Sequence, residues 1–370
     1  MSAELGCWSN SARSSKSRTD ALSPCGTIPT STEERVAESA PTPGQDEGRL
    51  LSRSYRIVNV SSGEYAFTDL RETALGDVQN RQFRLFTPVK RERMRLPTSL
   101  PEFSALRHVA NLSDSPLTVA AELGGHWSEH NLAAITHVAA CNFRCPYCYV
   151  DFGHLSGADS FLATAAAVVD EFSLLRRSME ASGRRLSLLR VSGGEPLLAP
   201  ALVIGIHREL RRRELLSSTV LKVESNLSAL PFAWRENSVR LTRDEAVEMP
   251  RVKLHSTLHF PPGARLWPAI RSGIEFALGI GFDLYPAVGA NDWTVEQLER
   301  LHDELAEISP GLPARLAVRP FHLDYPVLAD RRRLPRPREP EAPSVLWEKI
   351  LLSRSGARYL QRPRHLVPLN

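Results

Sequence analysis

Leu132-Ala-Ala-Ile-Thr-His-Val-Ala-Ala-Cys141-Asn-Phe-Arg-Cys145-Pro-Tyr-Cys148 is the stretch on which the reading of this chain turns. Residues 132–139 are largely apolar and read as a buried strand. Three cysteines follow at once, spaced C-x3-C-x2-C. Thiolates this close in a tight loop can grip one face of an iron–sulfur cubane and leave its fourth iron without a protein ligand. A catalytic cluster needs such an open position. Zinc is the competing metal, because a Cys3His site would close on His137 or His154. A chance grouping of cysteines is the third reading. The run falls at the C-terminal end of the strand, the end where parallel α/β barrels place their active sites.

Downstream of the cysteines, strand and helix patterns alternate. Strands are predicted at 186–191, 219–224, 252–258, 282–288 and 314–319. Helices are predicted at 160–181, 199–214, 242–249, 266–278 and 294–308. With 132–139 this makes six strands joined by helical crossovers, which implies parallel pairing. A full barrel takes eight such repeats, so the expected fold class is α/β, a partial (βα)6 TIM-like barrel over 131–325. Residues 1–50 are polar and rich in Ser, Thr and Pro, and read as disordered. Residues 51–130 read as an N-terminal extension, with strands at Tyr55–Val60 and Gln82–Pro88 and a short helix or strand at Leu117–Leu123. Residues 326–370 read as an Arg- and Pro-rich tail with one helix near Val345–Leu352.

A second motif, Ser192-Gly193-Gly194-Glu195-Pro196, closes the second barrel strand 45 residues after Cys148. Gly permits close backbone approach, carbonyls there can accept from an ammonium, and Glu195 adds negative charge. Glu224-Ser225-Asn226-Leu227 closes the third strand.

Together these three stretches resemble the radical S-adenosylmethionine superfamily over roughly residues 130–320. The resemblance implies that Cys141, Cys145 and Cys148 hold a [4Fe–4S] cluster, and that Tyr147, before the last cysteine, lies by the adenine of S-adenosylmethionine. It implies that Ser192, Gly193, Gly194, Glu195 and Pro196 meet the methionine amine. Glu224 and Asn226 would lie near the ribose and carboxylate, with Leu227 standing where family members often carry Gly. The implied reaction is reductive cleavage of S-adenosylmethionine to a 5′-deoxyadenosyl radical that takes hydrogen from a substrate. A one-electron reductant such as flavodoxin or ferredoxin is implied as a partner.

Substrate-side residues should project from strand ends into the barrel mouth. Lys253, His255 and Tyr285 are the candidates, with Lys253 and His255 on one face by the two-residue period. Ser256, Arg319 and His322 are secondary to these, and His259 is assigned to a loop. No cysteine follows Cys148, so a C-terminal auxiliary cluster has no ligands.

Composition narrows the function classes. Hydrophobic residues make up 42% of 370, enough for a full-sized core, and no apolar run reaches membrane-span length. The first thirty residues lack the pattern of a secretory signal. A soluble, cytoplasmic protein is expected. The net charge of +4, from five Lys and 41 Arg against 42 acidic residues, is too mild to indicate a nucleic-acid binder. A small metabolite or natural-product intermediate is the expected substrate. The alternatives are an activase that installs a glycyl radical on a partner enzyme, an enzyme that modifies RNA or a peptide, and a zinc-stabilised binding protein.

Overall fold

The computed structural model describes residues 43–61, 63–70, 118–130, 132–290, 292–319, 326–329, 334, 336, 338–339, 341–356 and 364–369. In chain order the elements begin with α1 (Pro43–Val58), β1 (Asn59–Ser61), β2 (Glu64–Thr68), β3 (Ala134–Val138), β4 (Ser160–Ala163), α2 (Ala165–Ala181) and β5 (Leu188–Gly193). There follow α3 (Pro200–Arg212), β6 (Val220–Ser225), α4 (Leu230–Glu236), α5 (Arg243–Glu248) and β7 (Val252–Leu258). The last elements are α6 (Trp267–Ile280), β8 (Asp283–Gly289), α7 (Val295–Ile308), α8 (Leu312–Arg315), β9 (Ala317–Arg319) and α9 (Pro343–Ser355). Short 3-10 turns link several of these.

The fold is mixed α/β with a mostly parallel central sheet. Six strands, β3, β5, β6, β7, β8 and β9, pair in parallel and in sequence order. β2 adds antiparallel to β3, and β1 and β4 pair with β2. The sheet is open, running from β1 to β9 without closing on itself.

Alternation along each strand divides the sheet into two chemically different faces. Leu189, Val191, Leu221, Val223, Leu254, Leu284 and Val288 join one apolar cluster with Phe172, Leu202, Ile206, Ile274 and Leu301 of the helices. Burying this face and its helix stripes stabilises the layers at roughly 25 cal/mol per Å2 of apolar surface. The intervening residues, Arg190, Ser192, Lys222, Glu224, Lys253, His255, Asp283 and Tyr285, fall on the opposite face. An apolar plug of Val119, Ala133, Leu188 and Val220 sits at the N-terminal end of the parallel strands.

Several sequence expectations change. Residues 43–50 belong to α1, not to a disordered segment, and Tyr55–Val58 completes that helix where a strand was expected. Ser54 explains part of this: it is buried, and its hydroxyl donates to the Cys141 carbonyl at 2.9 Å. The predicted helix at 160–181 is a strand followed by a helix. Thr164 caps α2 by accepting from the Ala167 N–H, and Ser160–Ala163 pairs with β2. Phe161, which fits the helical spacing of the apolar residues that follow it, is 44% exposed on that strand. The predicted strand at 314–319 is shortened to Ala317–Arg319 because Leu312–Arg315 is helical. Residues 118–123 are helical. Gln82–Pro88, residues 1–42, Leu117 and His322 lie outside the described residues.

Candidate functional site

The three motifs meet at the C-terminal ends of β3, β5 and β6. The junction begins with backbone. The Gly194 N–H donates to Val138 O at 3.0 Å and the Glu195 N–H to Ala140 O at 2.7 Å, so the end of β5 is fastened to the root of the cysteine loop. A Cβ at Gly194 would lie 2.0 Å from Ala140 O. One at Gly193, whose φ is +94°, would lie 2.6 Å from His137 Cβ. The glycines are therefore demanded by the approach of β5 to β3. The close approach expected of them is made to protein backbone.

Glu195 carries the junction to the third motif. Its carboxylate accepts from the Ser225 hydroxyl at 2.6 Å, the Asn226 N–H at 2.6 Å and the Leu197 N–H at 2.9 Å. The expected electrostatic partner of an ammonium is thus a buried internal clamp, 1% exposed. Burial pushes its carboxyl up to about 7, against the lowering effect of the three donors. Clamped in this way, Asn226 turns its side chain to the cysteine loop. Its amide donates to Asn142 Oδ1 at 3.0 Å and lies 3.9 Å from Cys141 Sγ. Asn142 in turn donates to Ser228 Oγ at 2.9 Å. Leu227, where glycine is usual in the resembling family, adopts φ +64°. Its own N–H is bonded to Ser225 Oγ at 2.8 Å, and Gly273 packs so closely that a Cβ there would lie 2.3 Å from Leu227 O.

The cysteine loop is stapled from within. The Arg144 guanidinium donates to the carbonyls of Cys141, Phe143 and Leu155 and to Ser156 Oγ. Cys145 is buried, and Cys141 and Cys148 are half-buried. Burial pushes the Cys145 thiol up to about 12, and the Cys141 thiol also rises. Such thiols become thiolates when a cation replaces the proton. The Phe143 N–H lies 3.3 Å from Cys141 Sγ, a donor suited to a thiolate. Among the described residues, no three His, Cys, Asp or Glu side chains converge on a single metal ion. A cubane holds its three thiolates on separate irons, and the donor set of three cysteines on one tight loop fits such a cluster.

The histidines are arranged differently from the sequence reading. His154 bonds to Asp151. His137 is on β3, and burial pushes its imidazole down to about 4. The histidine at the cysteines is His259, just past β7. Its Nδ1 is 3.4 Å from Cys145 Sγ and 2.8 Å from Tyr147 Oη, and its ring stacks on Tyr147 at 5.8 Å. Nothing in the sequence marked His259 beyond its place after a strand end.

Below this junction lies a charged group on the polar face. Glu224 bonds to Arg190, approaches Lys222 at 3.2 Å and accepts from Ser192 Oγ at 2.6 Å. Burial raises its pKa, but Arg190 and Lys222 outweigh that and hold it well below the usual carboxylate range. Tyr149 completes a chain, its hydroxyl 3.2 Å from Ser192 Oγ. Because Ser192 donates to Glu224, Tyr149 donates to Ser192.

Two of the three substrate-side candidates are committed elsewhere. Lys253 is the second residue of β7, at the end remote from the cysteines. Its ammonium is held by Glu122 at 3.0 Å, Asp283 at 3.1 Å and Pro250 O at 2.9 Å. Tyr285 donates to Asp283 Oδ2 at 2.8 Å, also toward that end, and its ring lies 4.8 Å under the Arg315 guanidinium. His255 stacks on Tyr285 at 4.9 Å in mid-strand. The expectation that Lys253 and Tyr285 project into the mouth is therefore corrected.

No family model matches the chain, and no curated protein matches it in sequence. Among the described residues, no helix is long and apolar enough to cross a membrane.

Proposed function

We propose that the chain is a radical S-adenosylmethionine enzyme whose six parallel strands form a partial barrel around the cofactor. The observation that carries this reading is convergence. Cys141 and Asn142, Gly194 and Glu195, and Ser225 and Asn226 are separated by about 50 and 30 residues of chain, yet one continuous set of hydrogen bonds joins them. All three stretches lie at the C-terminal ends of neighbouring parallel strands, where open α/β sheets bind ligands. Packing accounts for the two glycines, but it gives no reason for three thiols and an Asn amide to share one place.

In this reading Cys141, Cys145 and Cys148 hold a [4Fe–4S] cluster, which when bound supplies the electron that cleaves S-adenosylmethionine to a 5′-deoxyadenosyl radical. The rest is done by the chain's own residues. Glu195 fixes Asn226 against the loop. Arg144 and Ser54 hold the loop carbonyls. His259 and Tyr147 form an aromatic wall beside Cys145 that excludes water. A small substrate would enter from the strand ends.

The test is anaerobic reconstitution with iron and sulfide, then dithionite and S-adenosylmethionine, with 5′-deoxyadenosine measured by chromatography. The expected result is about four irons and four sulfides per chain and deoxyadenosine from the wild type, with none from Cys145→Ala. Stoichiometric zinc with no iron taken up would overturn the reading and leave the zinc-stabilised binding protein.

A further inference from the structure

The cysteine sulfurs are not held alike. Cys141 Sγ lies 3.3 Å from the Phe143 N–H, two residues along the same loop, and 3.9 Å from the Asn226 amide. Cys145 Sγ meets two aromatic side chains instead. The Tyr147 hydroxyl hydrogen-bonds to it. His259 Nδ1 reaches it at 3.4 Å, across 114 residues of chain. The His259 ring is oriented by the loop it touches. It stacks on Tyr147 at 5.8 Å and meets the Phe143 ring edge-on at 5.6 Å, while Phe260 packs on Phe143 at 5.2 Å. Nδ1 also lies 2.8 Å from Tyr147 Oη. Tyr147 has one hydroxyl proton, and its bond to the sulfur uses it. Its oxygen is then an acceptor, and so is a Cys145 thiolate. A bare nitrogen lone pair between two acceptors would be repelled by both, so this surrounding selects the tautomer with the proton on Nδ1.

We propose that His259 is a positioning residue that donates its Nδ1–H to the Cys145 sulfur and thereby makes a cluster held by that sulfur easier to reduce. Hydrogen bonds to ligand sulfurs are among the levers that set iron–sulfur potentials. The reduced state carries one more negative charge, and a donor at sulfur stabilises that state more than the oxidised one. The donor is preorganised, because the rings of Tyr147 and Phe143 fix its direction before any metal binds. This inference rests on the cluster reading of the three cysteines, but not on the cleavage of S-adenosylmethionine.

The test is a potentiometric titration of the full reconstituted chain, followed by electron paramagnetic resonance with no S-adenosylmethionine present. His259→Phe keeps an aromatic ring and removes the donor. Its midpoint should fall by about tenfold or more in the one-electron equilibrium, which is about 59 mV. His259→Asn restores an N–H close to the place of Nδ1 and should recover part of that shift. Phe260→Leu loosens the same aromatic packing without removing a donor, and its equilibrium should stay within about twofold of wild type, about 18 mV. Wild-type chain grown with 15N-histidine gives a readout that needs no variant: the reduced cluster should show a 15N coupling in pulsed resonance. An unchanged midpoint in His259→Phe with its iron retained overturns the donor. An absent 15N coupling in wild type overturns it as well, and decides the matter where His259→Phe loses its iron. An equal fall in Phe260→Leu overturns it in favour of packing. Deoxyadenosine formed by a wild type whose midpoint does not depend on His259 sinks the donor alone. A His259-dependent midpoint without deoxyadenosine sinks the radical reading alone, and zinc with no iron sinks both.

Discussion

The two ends of the parallel strands are both polar and both buried, and they are built on opposite principles. At the N-terminal end, Lys253, Glu122, Asp283, Arg315 and Tyr285 close on one another, with the ammonium and the guanidinium each ending on Asp283. Beneath them the apolar plug of Val119, Ala133, Leu188 and Val220 seals the sheet. At the C-terminal end, hydrogen bonds such as those of Glu195 are spent on holding a loop whose three thiols make no disulfide. Just below, Arg190 pairs with Glu224, which also accepts from Ser192. A dense set of charged side chains is therefore a poor guide to a site. The informative feature is the convergence of three separate stretches of chain on one loop.

Gly194→Ala should have the largest effect on this contrast. Its Cβ would meet Ala140 O at 2.0 Å, a backbone atom that cannot swing aside. A loss of more than ~4 kcal/mol, read by chemical denaturation, is expected, with iron uptake lost even where the chain stays folded. Retained iron uptake would show that the junction of β5 and β3 does not position the loop.

Asp283→Ala tests the opposite end. It would strip Lys253 and Arg315 of their shared carboxylate and should cost about 3–5 kcal/mol. Iron content and deoxyadenosine yield per folded molecule should stay unchanged. A selective loss of either would break the division between a structural end and a chemical end.

Glu195 offers a pH test. Its carboxyl titrates near 7 in the folded chain against an ordinary value of 4.5. The native state thus keeps a proton that the unfolded state releases. This contribution is fully present below about pH 4.5 and is lost as the pH rises through about 7, an amount on the order of 3 kcal/mol. Glu195→Gln should remove that slope from the pH dependence of the metal-free protein. A wild-type minus variant difference that is flat across pH 4.5–7 would mean that the three donors outweigh burial.

The smallest effect is a control remote from both ends. Thr294 caps α7 and shares a capping box with Gln297. Thr294→Ala should cost ~1 kcal/mol in thermal or chemical unfolding and leave iron content unchanged.

Much of the frame could be read along the chain. Strands β3, β5, β6, β7 and β8 fall where apolar runs end in turns, and their parallel pairing follows from the helices between them. The errors came where one pattern serves two structures. Phe161 fits a helical stripe, and only pairing with β2 made it part of a strand. Tyr55–Val58 has the apolar content of a strand, but it sits in an amphipathic helix that buttresses the cysteine loop through Ser54.

The sequence by itself determined the metal-ligand candidates, Cys141, Cys145 and Cys148, because thiol spacing is a local property of the loop. It also placed Gly193, Gly194 and Asn226 at strand ends. Only the tertiary structure decided what each of them faces. It turned Glu195 inward as a clamp, set His259 rather than His137 or His154 beside Cys145, sent Lys253 to the far end, and paired Arg190 with Glu224. Those outcomes depend on the register between strands and on which carboxylate reaches which cation first, and neither is encoded in the spacing of residues along one strand.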